Sequence, residues 1–131
     1  MSTTATATAT AITDIGQIAL TVSDVARAKD FYANKLGLTP LFDAGPSLSF
    51  LQCGSVRIML STPEGEFKPG GGTILYFRVA DIDAAYEQYK ARGVEFVNGP
   101  HLIARMPDHE LWMAFFRDPD GNALQLMCEK R

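Results

Sequence analysis

Trp112-Met-Ala-Phe-Phe-Arg-Asp-Pro-Asp-Gly-Asn-Ala-Leu-Gln-Leu-Met127 is the stretch on which the fold prediction rests. Two apolar runs flank a central Asp-Pro-Asp-Gly-Asn cluster, in which proline presets one backbone angle and glycine or asparagine adopts positive φ. This order predicts a β-hairpin. In its second arm Leu124 and Leu126 fall on one face and Gln125 on the other, so one polar side chain points away from the packed side.

The length, charge and cysteine content of the chain exclude several classes of protein. Its 131 residues correspond to one domain, which is large enough to fold without covalent staples. The net charge is −3 and no run of Lys or Arg occurs, which argues against a nucleic-acid binder. Cys53 and Cys128 lie in apolar runs without a CxxC motif, so both are predicted to be reduced core thiols in a cytoplasmic protein.

The first residues differ in composition from the rest of the chain. Residues 1–12 alternate Thr and Ala and are predicted to be a disordered tail. The segment has no basic start and no apolar core, so it is predicted to be neither a signal peptide nor a membrane span.

Two parts of the chain repeat each other. Val22-Ser-Asp-Val25 and Val79-Ala-Asp-Ile82 each follow an alternating, strand-like run and precede a helical pattern, and Gly37 and Gly93 close the two predicted helices at similar distances. This correspondence predicts an internal duplication. Residues 13–131 are therefore predicted to be one domain, made of module one (13–62), a linker (63–72) and module two (73–131).

Each module is predicted to contain a strand, a helix and then three strands, which gives an α+β fold of two tandem β-α-β-β-β modules. The other predicted strands are Ile15–Val22, Leu38–Phe42, Leu48–Gln52, Val56–Ser61 and Thr73–Val79. In module two the strand-like runs Val94–Val97 and His101–Arg105 both precede the hairpin, which is one run more than the repeat requires. Residues that face away from the helix in the first and last strands of each module are the functional candidates. They include Gln17, Arg57, Met59, Ile74, Tyr76, Arg78 and Gln125.

These motifs resemble the vicinal oxygen chelate superfamily, which contains glyoxalase I, bleomycin-resistance proteins and extradiol dioxygenases. The resemblance is carried by Val22-x-Asp24, Ala28, Phe31-Tyr32 and Leu36-Gly37-Leu38 in module one, and by Phe116-x-Asp118-Pro119-Asp120-Gly121-Asn122 with Leu126 in module two. It implies a cup-shaped mixed sheet with helices outside, and a divalent metal on the concave face.

The resemblance also implies where the metal ligands would lie. The four ligand positions fall on Gln17, Met59, Ile74 and Gln125. Hard divalent ions prefer carboxylate oxygens or imidazole nitrogens, whereas an amide is a weak donor and a thioether suits soft ions. We therefore expect no metal and no other cofactor at these degenerate positions.

Other residues have alternative interpretations. His101 and His109 are candidate general bases or a displaced metal pair, because imidazole titrates near neutral pH; the alternative is that both simply face water. Arg57 and Arg78 are candidates for binding a carboxylate or phosphate of a ligand, or for pairing with neighbouring acids. Among the aromatic candidates, Tyr76 and Trp112 would stack on a ligand, or else belong to the core.

Three functions remain open at this stage. The first is a metal-independent protein of the bleomycin-resistance type that binds a small molecule in the cup. The second is a lyase, isomerase or dioxygenase that uses His101, His109 or an atypical metal shell, and the third is a structural or regulatory domain. The resemblance and the frequency of twofold symmetry imply a homodimer, and no nucleic acid or membrane partner is expected.

Overall fold

The computed structural model describes residues 15–63 and 73–131. The predicted tail and residues 64–72 of the predicted linker lie outside the described residues. The strands are β1 (Gln17–Thr21), β2 (Thr39–Asp43), β3 (Leu48–Cys53), β4 (Val56–Ser61), β5 (Leu75–Arg78), β6 (His101–Arg105), β7 (Glu110–Arg117) and β8 (Ala123–Lys130). None of the helices in this part of the chain is long and apolar enough to cross a membrane.

The strands form two four-stranded mixed sheets with the same topology. Sheet one has the order β1-β4-β3-β2 and sheet two the order β5-β8-β7-β6. In each sheet the first and last strands of the module run parallel, and the other pairs are antiparallel. The predicted β-α-β-β-β organisation of both modules is confirmed, together with the α+β class.

Both helices begin where the repeat predicts. Asp24 and Asp81 have extended backbones and accept hydrogen bonds from the backbone N–H three residues later, at 3.1 Å in each case. This contact satisfies one free donor of each first helical turn. Helix α1 spans Val25–Lys29 and continues as a π-helix over Asp30–Lys35, and helix α2 spans Ile82–Ala91.

The π-helical turn is a feature that the sequence pattern does not predict. It ends with the N–H of Leu36 donating to the carbonyl of Phe31 at 3.0 Å, five residues back. The wider turn buries the consecutive residues Phe31 and Tyr32, whose rings meet edge to face at 5.2 Å. Gly37 follows with a φ of 84°, a conformation that glycine adopts without strain.

One predicted strand is wrong. Val94–Val97 does not form a strand; only Phe96 makes an isolated bridge to Phe116. The strand that corresponds to β2 in module two is β6. Both β2 and β6 are edge strands and both contain a register irregularity, at Pro40/Phe42 and at Leu102/Ala104.

The two modules share one hydrophobic core. It includes Leu20, Tyr32, Leu51 and Leu60 from module one, and Ile82, Phe116, Leu124 and Leu126 from module two. A cavity of about 120 Å³ lies between the modules, lined by residues of both, including Leu36, Cys53, Phe77 and Phe116. Burial raises the pKa of the Cys53 thiol, which disfavours its reactive thiolate.

Polar contacts also join the modules. The Tyr32 hydroxyl donates to Asp118 Oδ2 at 2.7 Å, and Arg27 pairs with Asp120 at 3.1 Å. Burial, and next the charge of Asp118, raises the pKa of Tyr32 far above its usual value, so this hydroxyl remains a donor. Asp118 Oδ1 accepts from the backbone N–H groups of Asp120 and Asn122, so this aspartate organises the turn between β7 and β8.

Candidate functional site

Each sheet packs one face against the shared core and leaves the other face uncovered by its helix. In β4, Ile58 and Leu60 are buried and Arg57 is exposed; in β8, Leu124 and Leu126 are buried and Gln125 lies on the opposite face. We call the helix-distal face of each sheet its open face. The alternation of the strands therefore places the functional candidates on two open faces.

The open face of sheet one brings three predicted residues together. Gln17 Oε1 accepts a hydrogen bond from Arg57 Nε at 2.7 Å, and Gln17 Nε2 lies 3.8 Å from Met59 Sδ. The parallel pairing of β1 with β4 sets Gln17 directly opposite Arg57 and Ala19 opposite Met59. The three side chains thus form one connected group.

Beside this group lie two stacked aromatic rings. Phe42 and Phe50 are register partners whose rings lie 4.5 Å apart and 24° from parallel, and the Arg57 guanidinium carbon lies 5.4 Å from the Phe50 ring centre. Phe42 is 52% exposed. Sequence reasoning missed Phe42 because its pairing with Phe50 depends on the register irregularity in β2.

The open face of sheet two carries another group of predicted residues. Tyr76 and Phe115 are the register partners of Gln125 on either side, and Arg78 is the partner of Met127. Gln125 Oε1 is buried from solvent and has no hydrogen-bond partner among the described residues. Ile74 lies just before β5 and is exposed.

Trp112 does not lie with this group. Its register partners are Leu102 and Cys128, and it packs against the shared core. Its indole N–H donates to Glu110 at 3.1 Å, and the Lys130 ammonium lies 4.2 Å from its ring centre. Of the two interpretations of Trp112, this packing favours the core, and Phe115 is the aromatic residue of β7 that lies opposite Gln125.

The two histidines lie at opposite ends of β6. His101 begins the strand, and its Nδ1 lies 3.0 Å from the Gly99 carbonyl oxygen. His109 follows the turn after the strand, where its Nδ1 lies 2.7 Å from Asp108 and its Nε2 3.9 Å from Glu129. The structure does not bring the two imidazoles together, which removes the geometric basis for the displaced metal pair.

The four predicted metal-ligand positions do not fit a divalent ion. Gln17 Oε1 faces the Arg57 guanidinium, so an ion at that oxygen would lie beside a positive charge. Met59 offers a thioether and Ile74 offers no donor atom. In residues 15–63 and 73–131, no three His, Cys, Asp or Glu side chains form a group that could hold a metal ion.

Two curated relatives are similar to most of the chain. YetH from Bacillus subtilis is 31% identical over 124 residues, which cover 88% of this chain and 98% of YetH. The virulence protein STM3117 from Salmonella typhimurium is 27% identical over 119 residues, which cover 86% of this chain and 81% of that protein.

Solved structures have the same fold. A superfamily member from Sphaerobacter thermophilus is 31% identical, with a TM-score of 0.74 over 90% of this chain and 98% of that chain. A lactoylglutathione lyase from Agrobacterium tumefaciens is 21% identical, with a TM-score of 0.71 over 90% of this chain and 95% of that chain, a likeness that shows the fold alone.

A family model agrees with these similarities. The model of the Glyoxalase/Bleomycin resistance protein/Dioxygenase superfamily matches residues 14–126, which include every described strand and helix up to the middle of β8. The chain therefore belongs to the glyoxalase, bleomycin resistance protein and dioxygenase superfamily.

Proposed function

We propose that this protein binds a small molecule on its open faces, without the divalent metal that the vicinal oxygen chelate resemblance implies. The observation that carries the proposal is the unpartnered carbonyl oxygen of Gln125. A buried acceptor without a donor costs about 1–3 kcal/mol, and such groups are rare in folded proteins. An N–H or O–H group of a ligand would supply the missing donor once the side chains that cover this oxygen move aside.

Asp120 Oδ2 is also buried and unpartnered, but its setting differs. The other oxygen of Asp120 already accepts from the Ser23 backbone N–H at 3.1 Å and pairs with Arg27. That carboxylate belongs to the contact between the modules. Gln125 instead lies on an open face, between Tyr76 and Phe115, where a ligand has access to aromatic surface as well.

Binding without metal is supported by the chemistry of the four positions described above. Gln17 is engaged by Arg57 and Met59, and Ile74 has no lone pair to donate. A ligand would instead be held by amide and guanidinium hydrogen bonds and by aromatic contacts, as in many apolar sites with few polar groups.

We infer that the protein works as a homodimer in the cytoplasm. The open faces leave large apolar side chains exposed, with Phe42 at 52% and Tyr76 at 48%. A second copy placed over these faces would enclose a ligand and cover apolar surface that water otherwise contacts. Light scattering after size exclusion should give twice the chain mass; a monomer that retains its ligand would contradict this inference.

Mass spectrometry of the native protein, purified without chelator, tests the proposed function. We expect a small molecule that is released when the protein is denatured, and metal contents far below one equivalent by elemental analysis. One equivalent of Ni, Zn, Mn or Fe would overturn the metal-free proposal. A protein with no bound small molecule, and none bound from a metabolite library, would overturn the binding proposal itself.

Replacing Gln125 with methionine should separate stability from binding. The change removes the unpartnered acceptor at similar size, so we expect the ligand-free protein to gain about 1–2 kcal/mol of unfolding free energy. The same variant should lose the small molecule seen by mass spectrometry. Urea denaturation measures the first effect.

The matched control is Gln52→Met on the open face of sheet one, because the Gln52 amide already donates to the Gly54 carbonyl at 2.8 Å. It should be neutral or slightly destabilising. If Gln125→Met destabilises the protein as well, Gln125 has a partner and the observation behind the proposal is wrong. If Gln125→Met abolishes the dimer but the protein keeps its ligand, the hydrogen-bond donor to Gln125 comes from the second copy of the chain and not from the ligand.

A further inference from the structure

The Arg57, Phe50 and Phe42 group on the open face of sheet one indicates which ligand this face would take. We propose that it binds an aromatic monocarboxylate, with the carboxylate on Arg57 and the ring against Phe42 and Phe50. This inference rests on the proposed function and narrows it to a chemical class. The proposed charge and ring contacts come from residues other than the four predicted metal positions.

Arg57 carries a charge that no described acid neutralises. Arg27, Arg105 and Arg131 pair with carboxylates at 2.8–3.1 Å, but Arg57 forms no ion pair within residues 15–63 and 73–131. Its register partners in the sheet are the neutral residues Gln17 and Gln52.

The hydrogen bond to Gln17 also orients Arg57. It uses Nε, so the two terminal amino groups keep their N–H donors for an outside acceptor. The amide therefore holds the guanidinium in place without cancelling its charge. An arginine arranged in this way is suited to bind an anion.

The aromatic pair supplies the second half of the site. Phe42 and Phe50 stack at 4.5 Å, and Arg57 lies 5.4 Å from the Phe50 centre, so cation and rings form one continuous row. Phe42 is 52% exposed at the end of this row. A planar aromatic ligand would cover that apolar surface and add ring contacts that an aliphatic body of equal size lacks.

Charge and shape favour a carboxylate over a phosphate. Among the residues that the structure describes, the open face of sheet one presents a single arginine, which matches a monoanion, whereas a phosphate dianion would retain unbalanced charge. The planar carboxylate also matches the guanidinium fork in a bidentate contact.

A ligand of this class has room for polar substituents. Met59 is the register partner of Phe50 and borders a cavity of about 460 Å³. The cavity is also lined by Thr21, Ser47, Ser61 and Thr62. The hydroxyl groups there can donate to and accept from a substituent on the ligand. The site therefore has a cationic end, an apolar middle and a hydroxyl-lined end.

Titration calorimetry on the full chain tests the proposal with cinnamate as the probe. Three further probes each change one feature of cinnamate. Cinnamamide lacks the negative charge, cyclohexanecarboxylate lacks the aromatic ring, and phenyl phosphate carries a phosphate in place of the carboxylate. We expect cinnamate to bind more tightly than each of the three.

Substitutions of Arg57 and Phe42 test whether these residues bind the carboxylate and the ring. Arg57→Gln should weaken cinnamate binding roughly ten- to hundred-fold, the usual range for a charge-assisted hydrogen bond. Arg57→Lys should recover part of the loss, and Phe42→Leu should weaken cinnamate more than cyclohexanecarboxylate. Arg92→Gln is the matched control, since Arg92 stacks on Tyr89 at the end of α2 and should leave binding unchanged.

Several outcomes would overturn the inference. If wild type and Arg57→Gln bind cinnamate equally tightly, Arg57 does not bind the carboxylate. If phenyl phosphate binds more tightly than cinnamate, the site prefers a phosphate to a carboxylate. If cyclohexanecarboxylate binds as tightly as cinnamate, the ligand does not need an aromatic ring. If no probe binds but mass spectrometry finds another small molecule, this inference fails and the proposed function stands; if neither method finds a ligand, both fail.

Discussion

Asp118→Ala is expected to destabilise the protein by about 3–5 kcal/mol, the largest effect of any single polar substitution that we predict. Asp118 is 5% exposed. Its carboxylate accepts four hydrogen bonds, from the Tyr32 hydroxyl, from the Asp120 backbone, and from the backbone and side chain of Asn122. Its loss leaves the fully buried Tyr32 hydroxyl without an acceptor and removes the organiser of the β7–β8 turn. Thermal unfolding should show a fall in Tm of roughly 10 °C or more.

Two comparisons give this prediction its controls. Tyr32→Phe removes one of the four donors and should cost about 1–2 kcal/mol, because Asp118 Oδ2 keeps its bond from Asn122. Asp24→Ala removes a helix cap and should cost about 1 kcal/mol. If Asp118→Ala costs no more than Asp24→Ala, the contact between the modules contributes little to stability.

Phe116→Ala is expected to cost about 3–5 kcal/mol, as is usual for removal of a buried aromatic ring. Phe116 is fully buried, lies 5.1 Å from the Phe96 ring, and already borders the cavity between the modules. Truncation would enlarge an existing void, and the surrounding residues have little freedom to close it. Urea denaturation should show a lower midpoint with an unchanged slope.

The neighbouring residue provides the control. Phe115 lies on the open face, opposite Gln125, so Phe115→Ala should cost only about 1 kcal/mol while reducing ligand binding. A loss of stability from Phe115→Ala equal to that from Phe116→Ala would mean that both faces of sheet two are packed. The proposed binding surface would then be wrong.

The local signals in the sequence predict most of the fold. Asp24 and Asp81 mark both helix starts, because a side-chain acceptor is needed wherever the first helical N–H groups are free. The turn after Arg117 marks the hairpin. These features depend on neighbouring residues only, so they are visible without knowledge of the tertiary structure.

The residues that the sequence misplaces depend on register. Trp112 is one of the candidates for stacking on a ligand, but the hairpin pairs Arg117 with Ala123 and so sets Phe115, not Trp112, opposite Gln125. Counting outward from the turn would have found this, since Trp112 and Phe115 differ by an odd number of positions. The stack of Phe42 on Phe50 had no such signal, because the irregularity in β2 changes the parity of its residues.

The bond between Tyr32 and Asp118 bears on the ancestry of the duplicated chain. Because each module contributes to one shared core, neither is expected to be an autonomous folding unit, and a single module of this size is marginal by itself. An ancestor with one module would have needed to pair with a second copy of itself before the gene was duplicated. Covalent linkage of the two modules in one chain makes their pairing independent of protein concentration.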